Sequence, residues 1–318
     1  MGVTEQTIFE QFPYWQKAAA APLAPLRDAE VTVFVGCGTS YNLAMSLAAL
    51  ANASGRPAIA VPGGEWTNRA SSYWGKPGVA HVVALSRSGE TTETVAAARA
   101  SRAVGLFVTG ITVEADSSLA RNSDRLVASP TDGREGIVMT TSASLMLLLG
   151  ILLIGHKVPA EAIALADALL HEVDLKVPSL FGNRRHFVFL GGGANYGVAV
   201  EGSLKLMEMS QTFTQAFHPL EYRHGPISLI DGGSIAVLLY SADQKAAEAK
   251  LAGELRDKGA LVVGLGGEGD VSLAVPADPT LAGLVYLPAL QLIGERVAQS
   301  RKLDTAAPRH LTKVVTLT

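Results

Sequence analysis

The chain has 318 residues, of which 48% are hydrophobic and 17% charged, and its formal net charge is −3. This length and composition suit two domains with substantial cores. The small negative charge, without a basic run, argues against a nucleic-acid partner. The single cysteine, Cys37, excludes an intrachain disulfide and fits a reducing compartment.

The sequence predicts neither a signal peptide nor a membrane-spanning helix. Residues 1–10 carry Glu5 and Glu10 and lack a basic region followed by an apolar stretch, so we expect no signal peptide. The longest apolar run, 145–155, is shorter than the roughly 20 residues that span a bilayer and predicts a buried helix. We therefore expect a cytoplasmic protein without a membrane partner.

Short runs rich in Val, Leu and Phe alternate with Ala-rich segments of helical length. This order predicts an α/β fold with two doubly wound parallel sheets, each covered by helices on both faces. Strands of the first half are predicted at 31–35, 58–61, 81–85, 106–111 and 125–128. Helices are predicted after Gly38, Gly89, Glu135, Gly193 and Asp243, within 159–180 and near 287–299. The predicted division is an N-terminal helix and lead-in at 1–27, a first domain at 28–165, and a second domain with a C-terminal tail at 166–318.

The two halves repeat each other at an offset of 155 residues. The matching pairs are 33–41 with 188–196, 82–86 with 237–241, and 105–108 with 260–263. Three apolar strands in one register indicate a duplicated fold. Only the first copy follows its strands with clustered hydroxyl side chains, so the two copies are expected to differ in function.

The clustered hydroxyls belong to two Gly-containing turns. They are Thr39 and Ser40 in the first turn and Ser86, Ser88 and Thr91 in the second, where Arg87 adds a guanidinium. In an open α/β sheet such turns lie at the ligand end of the strands, where backbone N–H groups and helix dipoles favour an anion. Helix capping explains one such turn equally well. The loss of both hydroxyl sets from the second copy favours a phosphate site.

A second candidate group lies on one predicted helix. Glu201, Lys205 and Glu208 stand at i, i+4 and i+7, a spacing that also describes an ordinary solvated stripe. Because the helix begins at the glycine turn 191–193, we expect these groups near the second copy's ligand end. A carboxylate there would be partly desolvated, with its pKa raised toward that of a useful base.

A third candidate is His224, within the polar cluster 221–226. Histidine suits proton transfer near neutral pH, although a lone histidine is more often structural. The spacing of His and Cys residues gives no metal site, and neither a dinucleotide fingerprint nor a P-loop lysine is present. We therefore expect no metal and no nucleotide cofactor.

Taken together, these motifs resemble the sugar isomerase (SIS) domain proteins. The resemblance is greatest to the tandem-SIS isomerase half of glucosamine-6-phosphate synthase and to SIS-type glucosamine-6-phosphate deaminases. It covers nearly the whole chain. The segments that carry it are 36–40, 86–91, 201–210, 221–230 and 308–313. Each motif is short, but their order and spacing together are specific.

The resemblance implies a role for each matching position. It implies that Glu208 is the base that moves a proton between sugar carbons C1 and C2, with Lys205 beside it. His224 matches a ring-opening histidine that reaches the site from a neighbouring subunit, which implies a homodimer. Lys313 matches a tail lysine that forms a Schiff base with the keto sugar. The implied phosphate ligands are Thr39, Ser40, Ser86, Arg87, Ser88 and Thr91, and the further substrate-binding positions are Gly38 and Glu135.

Departures from the synthase pattern narrow the expected reaction. The sequence shows no glutaminase domain with a nucleophilic cysteine, Arg87 replaces the usual glutamine, and Ser142 stands where the synthase has a lysine. We therefore expect a phosphorylated amino sugar as substrate and deamination as the reaction. The alternatives are a fructosyl-amino-acid phosphate deglycase, another phosphosugar ketose/aldose isomerase, and a sugar-phosphate sensor without catalysis.

Overall fold

The computed structural model describes residues 1–75 and 79–315. The first-half elements are α1 (Val3–Phe9), α2 (Phe12–Ala20), β1 (Val31–Gly36), α3 (Thr39–Ala53), β2 (Ala58–Pro62), α4 (Gly63–Tyr73), β3 (Ala80–Leu85), α5 (Thr92–Ala103), β4 (Phe107–Thr112), α6 (Ser118–Arg121), β5 (Arg125–Ala128) and α7 (Thr141–Ile154). The second-half elements are α8 (Ala160–Lys176), β6 (His186–Gly191), α9 (Ala194–Ser210), β7 (Thr214–Phe217), β8 (Ser234–Leu239), α10 (Lys245–Asp257), β9 (Leu261–Leu265), β10 (Val271–Leu273) and α11 (Ala282–Ser300).

Each half forms a five-stranded parallel sheet with the same strand order. The first sheet runs β2-β1-β3-β4-β5, and the second, in the equivalent direction, runs β7-β6-β8-β9-β10. The central strands are buried along their whole length because helices cover both faces. The predicted α/β class with two doubly wound sheets is confirmed. The strand order places a topological switch point between β1 and β3, and another between β6 and β8.

The backbone of the two first turns is the same in both copies. Gly38 has φ +54° and ψ −126°, and Gly193, which lies 155 residues later, has φ +55° and ψ −129°. A Cβ on Gly36 would lie 2.6 Å from the carbonyl carbon of Ser40, and one on Gly191 would lie 2.5 Å from the carbonyl oxygen of Asn195. Both turns therefore require glycine for the same two reasons, a positive φ and a close approach of the helix.

The predicted offset is wrong by one residue for the later strands. Val33 pairs with Val82 in the first sheet, whereas Val188 pairs with Ala236 in the second. The structural equivalent of 82–86 is therefore 236–240, and the offset becomes 154. These strands are apolar at nearly every position because both faces are buried, so a one-residue shift leaves the sequence pattern almost unchanged.

Two long apolar helices form parts of the cores. Helix α7 is buried at every position except Leu152, as the apolar run 145–155 predicts. The segment Pro279–Ser300, which contains α11, is long and apolar enough to cross a membrane by length and composition alone. Because 89% of its apolar stretch is buried within the protein, it has the character of a core helix.

The chain divides into two compact units, each built on one sheet. The first-sheet unit consists of Gln11–Glu135, Thr141–Pro159 and the segment from Leu311 onward. The second-sheet unit consists of Met1–Glu10, Gly136–Thr140 and Ala160–His310. The N-terminal ten residues and the C-terminal segment thus each belong to the unit that is distant in sequence, whereas the sequence-based boundaries keep them with their chain neighbours.

A buried histidine makes the first-sheet unit sensitive to acid. Burial, followed by the charges of Arg27 and Arg125, lowers the pKa of His81 in β3 to about 4 from the ordinary 6.5. Because the unfolded chain binds a proton at higher pH than the folded one, stability is complete above pH 6.5 and is lost as the pH falls toward 4. We expect the free energy of unfolding to drop by up to about 3 kcal/mol over this range.

The measurement is urea unfolding between these pH values. All three tryptophans, Trp15, Trp66 and Trp74, lie in the first-sheet unit, so their fluorescence reports on that unit alone. In the variant His81→Gln, the free energy of unfolding is expected to change less between pH 6.5 and pH 4 than in the wild type. If the free energy of unfolding depends on pH in the same way in the variant and the wild type, the acid sensitivity does not come from His81.

Candidate active site

The two hydroxyl turns lie side by side at the switch point of the first sheet. Val35 of β1 lies beside Ala84 of β3 in a parallel pairing, so the turns that follow both strands leave the sheet at the same edge. Thr39 and Ser40 open helix α3 and are buried. The prediction that both turns meet at one ligand end therefore agrees with the strand register.

The second turn is closed by its own hydroxyl groups. The Ser86 hydroxyl accepts the Gly89 N–H at 3.1 Å and lies 3.2 Å from the Thr91 hydroxyl, while the Ser88 hydroxyl accepts the Glu90 N–H at 3.1 Å. The Ser88 hydroxyl, which accepts in this way, keeps its own O–H proton for a ligand, and the Ser86–Thr91 pair shares one proton and keeps the other. The turn thus offers convergent donors without a fixed countercharge.

Arg87 connects this turn to the C-terminal segment. Its guanidinium donates to the Lys313 carbonyl oxygen at 2.8 Å and lies 3.6 Å from the Glu135 carboxylate. The Lys313 ammonium in turn donates to the Glu135 carbonyl oxygen at 2.7 Å. Arg87 therefore has protein partners around its charged group, and its assignment as a phosphate ligand stays a prediction.

Glu135 occupies the centre of this arrangement. Its side chain is 2% exposed, and its carboxylate accepts the Ser142 N–H at 2.9 Å, at the start of α7. The structure thus brings Arg87, Glu135 and Lys313 together in the first-sheet unit. The family resemblance assigned all three residues to one substrate site, but their spacing did not predict these contacts, since Arg87 and Lys313 are 226 residues apart.

Glu201, Lys205 and Glu208 form a buried ionic cluster on α9. The Lys205 ammonium lies 2.5 Å from the Glu208 carboxylate and 3.4 Å from that of Glu201. The Glu201 and Lys205 side chains are 0% and 1% exposed, whereas Glu208 is 21% exposed. Burial by itself would lower the pKa of Lys205, but the two carboxylates outweigh it and hold that pKa above its ordinary value. Lys205 is therefore an ammonium ion, and Glu208 is the member of the cluster that solvent reaches.

The position of this cluster differs from the one expected. Helix α9 begins at Ala194, beside the glycine turn, but Glu208 stands fourteen residues later, about 21 Å along the helix axis. The expectation that Glu208 lies near the ligand end of the second copy is wrong. The i, i+4, i+7 spacing gives the face of a helix but not the distance from its start, which is why the sequence argument failed here.

His224 lies on an exposed loop of the second-sheet unit. It follows a short 3-10 turn, Glu221–Arg223, and its backbone N–H donates to the Glu221 carbonyl oxygen at 2.9 Å. Tyr222 is fully buried, and Arg223 pairs with Glu254 at 2.7 Å. These two anchors fix the loop and leave the imidazole of His224 at the surface, available to a substrate or to another subunit.

The chain matches a known family model over both halves. The model of the SIS domain matches residues 25–154 and 180–284, one segment for each sheet. The glutamine–fructose-6-phosphate aminotransferase (isomerizing) of Idiomarina loihiensis is 32% identical over an alignment of 332 residues, which covers 92% of this chain and 52% of the relative. The chain thus spans about half the length of the curated relatives it matches.

Solved structures share the fold from end to end. The glucosamine-6-phosphate deaminase of Thermotoga maritima is 29% identical, with a TM-score of 0.82 over 99% of this chain and 100% of that one. The tagatose-6-phosphate ketose/aldose isomerase of Escherichia coli has a TM-score of 0.78 over 95% of this chain and 93% of its own, at 23% identity, which shows the fold alone.

Proposed function

The chain belongs to the SIS domain family, and we propose that it converts glucosamine 6-phosphate and water into fructose 6-phosphate and ammonia. The observation that carries this proposal is the hydroxyl turn 86–91, tied through Arg87 to the segment that bears Lys313. An anion site and a primary amine on one compact unit suit a substrate with a phosphate at one end and a carbonyl at the other. The end-to-end similarity to a glucosamine-6-phosphate deaminase supports the same substrate.

Phosphate binding is the first step that we propose. The N-termini of α3 and α5 present backbone N–H groups and the positive ends of their dipoles, and the hydroxyls of Thr39, Ser40, Ser86, Ser88 and Thr91 add donors. Such a site stabilises a phosphate dianion without having to desolvate a countercharge. It also holds the flexible open-chain sugar in one orientation, which lowers the entropic part of the barrier.

Proton transfer between C1 and C2 is the chemical step. In the open-chain aldehyde, Glu208 removes the proton from C2, and the electron pair moves into the C1–C2 bond as the C1 oxygen takes up a proton from water. Glu208 then delivers its proton to C1 while the nitrogen returns a proton to water, which leaves an imine at C2. Water adds to that imine, and ammonia departs with the formation of the C2 ketone. Lys205 donates to Glu208 and so orients its carboxylate.

His224 and Lys313 are assigned supporting roles in this proposal. His224 opens the sugar ring by moving a proton between the ring oxygen and the C1 hydroxyl. In an alternative to direct attack by water, the Lys313 amine adds to the C2 imine and expels ammonia, and water then hydrolyses the resulting Schiff base to the ketone and the free lysine amine. The phosphorylated metabolite and the single thiol, Cys37, support a cytoplasmic location, which stays part of the proposal.

The decisive experiment is an assay of ammonia released from glucosamine 6-phosphate. We expect stoichiometric ammonia and fructose 6-phosphate from the purified chain. Fructosyl-amino-acid phosphates and tagatose 6-phosphate serve as alternative substrates. Turnover of one of these without ammonia release from glucosamine 6-phosphate would favour a deglycase or a ketose/aldose isomerase. Binding of all of them without turnover would favour a sensor.

The homodimer and the sharing of His224 have their own test. The inactive variants Glu208→Gln and His224→Ala are dissociated, mixed and reassembled in equal amounts. If each site takes Glu208 from one subunit and His224 from the other, every mixed dimer has one intact site, and activity should recover to about a quarter of the wild-type value. A mixture that stays inactive, although mixed dimers are present, would place both residues in one subunit.

The duplicated glycines provide a matched pair for testing the phosphate turn. Gly38 and Gly193 have the same backbone conformation, and a Cβ on either would meet nothing within 4 Å. Alanine at either position should therefore cost about 1–3 kcal/mol of backbone strain. Only Gly38→Ala is expected to weaken phosphate binding, measured by calorimetry. Equal phosphate affinity in the two variants would contradict the assignment of the site to the first copy.

A further inference from the structure

The second sheet has a cavity of about 500 Å³ at its own switch point. The turn after β6 and the loop after β8 form its walls, with Gly193 and Ser241 among the lining residues. These turns are the second-copy counterparts of the two proposed phosphate turns. The volume lies within the range of about 300–1,000 Å³ that small-molecule sites occupy. Among the described lining residues there is none to which the proposed reaction assigns a role.

The phosphate-binding groups of the first copy have been replaced in this cavity. Ala194 stands at the position of Thr39 and Asn195 at that of Ser40, and the Asn195 amide donates to the Tyr240 carbonyl oxygen at 3.3 Å. Three residues after the end of β3 stands Ser88, and three residues after the end of β8 stands Ala242. A phosphate would therefore find few hydroxyl donors here.

The charge that lines the cavity is negative. Glu221, Asp243 and Glu248 contribute carboxyl groups, and among the described lining residues none is lysine or arginine. Helices α9 and α10 begin at the cavity, and each N-terminus supplies a positive partial charge of about half a unit. The exposed carboxylates of Glu221 and Asp243 already outweigh the two helix ends, and Glu248 adds a third acidic group. The cavity is thus suited to a cation and opposed to an anion.

Glu248 is the buried member of this set. Its side chain accepts the Ser241 N–H at 2.8 Å and the Ser241 hydroxyl at 2.7 Å, and the residue is 1% exposed. Because Gly192 has no side chain, the space beside the Glu248 carboxylate is open to a ligand. A Cβ on Gly192 would lie 3.9 Å from that carboxylate. Burial raises the pKa of this carboxyl even though both hydrogen bonds favour the charged form. An ammonium ion beside it would supply the missing stabilisation.

The remaining walls of the cavity are formed mainly by apolar side chains and aromatic rings. Val275, Pro279 and Ala282 line one part of the cavity. The Tyr240 ring is fixed by a hydrogen bond from its hydroxyl to the Glu268 carbonyl oxygen at 2.8 Å, and His218 stacks on Tyr196 with ring centroids 4.0 Å apart. Such walls favour a compact body with apolar faces, and aromatic rings also attract cations.

We infer that this cavity is a binding site for a small organic primary amine, bound as its ammonium ion against Glu248 and Asp243. The ligand class is unphosphorylated, with the amine at one end of an apolar or flat body. The second copy has thus kept the location of the ancestral ligand site and reversed the sign of the charge that it accepts. This inference rests on the cavity alone and does not depend on the proposed deaminase reaction.

The test uses three probes that share one body and differ in charge: benzylamine, benzyl alcohol and benzoate. Calorimetry on the full chain should show benzylamine binding at least about tenfold more tightly than benzyl alcohol, with benzoate weakest. Benzoate binding as tightly as benzylamine would overturn the inference. So would the absence of benzylamine binding up to about 10 mM, the range of weak small-molecule sites.

Variants then locate the bound amine. Glu248→Gln removes the charge but keeps an acceptor for the Ser241 N–H. This variant should weaken the binding of benzylamine by about tenfold or more. Gly192→Leu fills the cavity without changing charge and should also abolish binding. Asp257→Asn, an exposed carboxylate on the same helix, is the matched control. Unchanged affinity in both cavity variants would reject this site. Ammonia release in the same preparations is scored separately and decides only the proposed function.

Discussion

Replacing Glu208 with glutamine is expected to lower kcat for ammonia release by about 10²- to 10⁴-fold, the usual contribution of a positioned general base. The amide has nearly the same size and still accepts a hydrogen bond from Lys205, but it cannot take the proton from C2. The buried ammonium of Lys205 remains paired with Glu201 at 3.4 Å, so the fold of α9 should be preserved. The loss should therefore be chemical rather than structural.

The matching measurements separate catalysis from binding. Calorimetry with inorganic phosphate should give the same affinity for wild type and Glu208→Gln, since the proposed phosphate turns belong to the first-sheet unit. Glu172→Gln, on the surface of α8 in an i, i+4 pair with Lys176, is the control for removal of one carboxylate. A kcat within about threefold of wild type would remove Glu208 from the mechanism. A parallel loss of phosphate binding would point to a structural effect instead.

The local features of this chain are readable from its sequence because they depend on near neighbours. The buried strands, the glycine turn at Gly38 and the hydroxyl turn 86–91 follow from short apolar runs and from backbone positions that only glycine tolerates. The same apolar runs could not fix the register. Val188 pairs with Ala236 rather than with Val237, and the polar pair that shares this register, His186 with Ser234, lies at the strand ends, outside the apolar runs that were aligned.

The features that were missed depend on contacts distant in sequence. The contacts of Arg87 with Glu135 and with the Lys313 carbonyl could not be read from the local sequence, while its assignment as a phosphate ligand stays a prediction. Glu201 suggested a solvated stripe as readily as a buried cluster, because only tertiary packing decides its burial. The sequence contains no motif that predicts the cavity at Glu248, since the walls of this cavity come from four separate segments of the second half.

Replacing Arg87 with alanine is expected to lower kcat/KM by about tenfold to a hundredfold and to release the C-terminal segment. The variant loses the hydrogen bond to the Lys313 carbonyl and leaves the Glu135 carboxylate, 2% exposed, without its guanidinium. Trypsin should then cut faster at Arg309 and Lys313. Arg256→Ala is the matched control, because Arg256 is an exposed arginine that pairs with Asp270 in the second-sheet unit. Its kinetics and digestion rate should match wild type.

The double variant Arg87→Ala, Glu135→Gln separates two explanations of that loss. If the defect comes only from the loss of the guanidinium beside the buried Glu135 carboxylate, the neutral amide of glutamine removes it, because glutamine still accepts the Ser142 N–H. Stability and activity would then both recover. If Arg87 acts by holding the segment that carries Lys313, the double variant regains stability while kcat/KM stays low and trypsin still cuts the tail. We expect the second outcome, since the Lys313 carbonyl contact is absent in both variants.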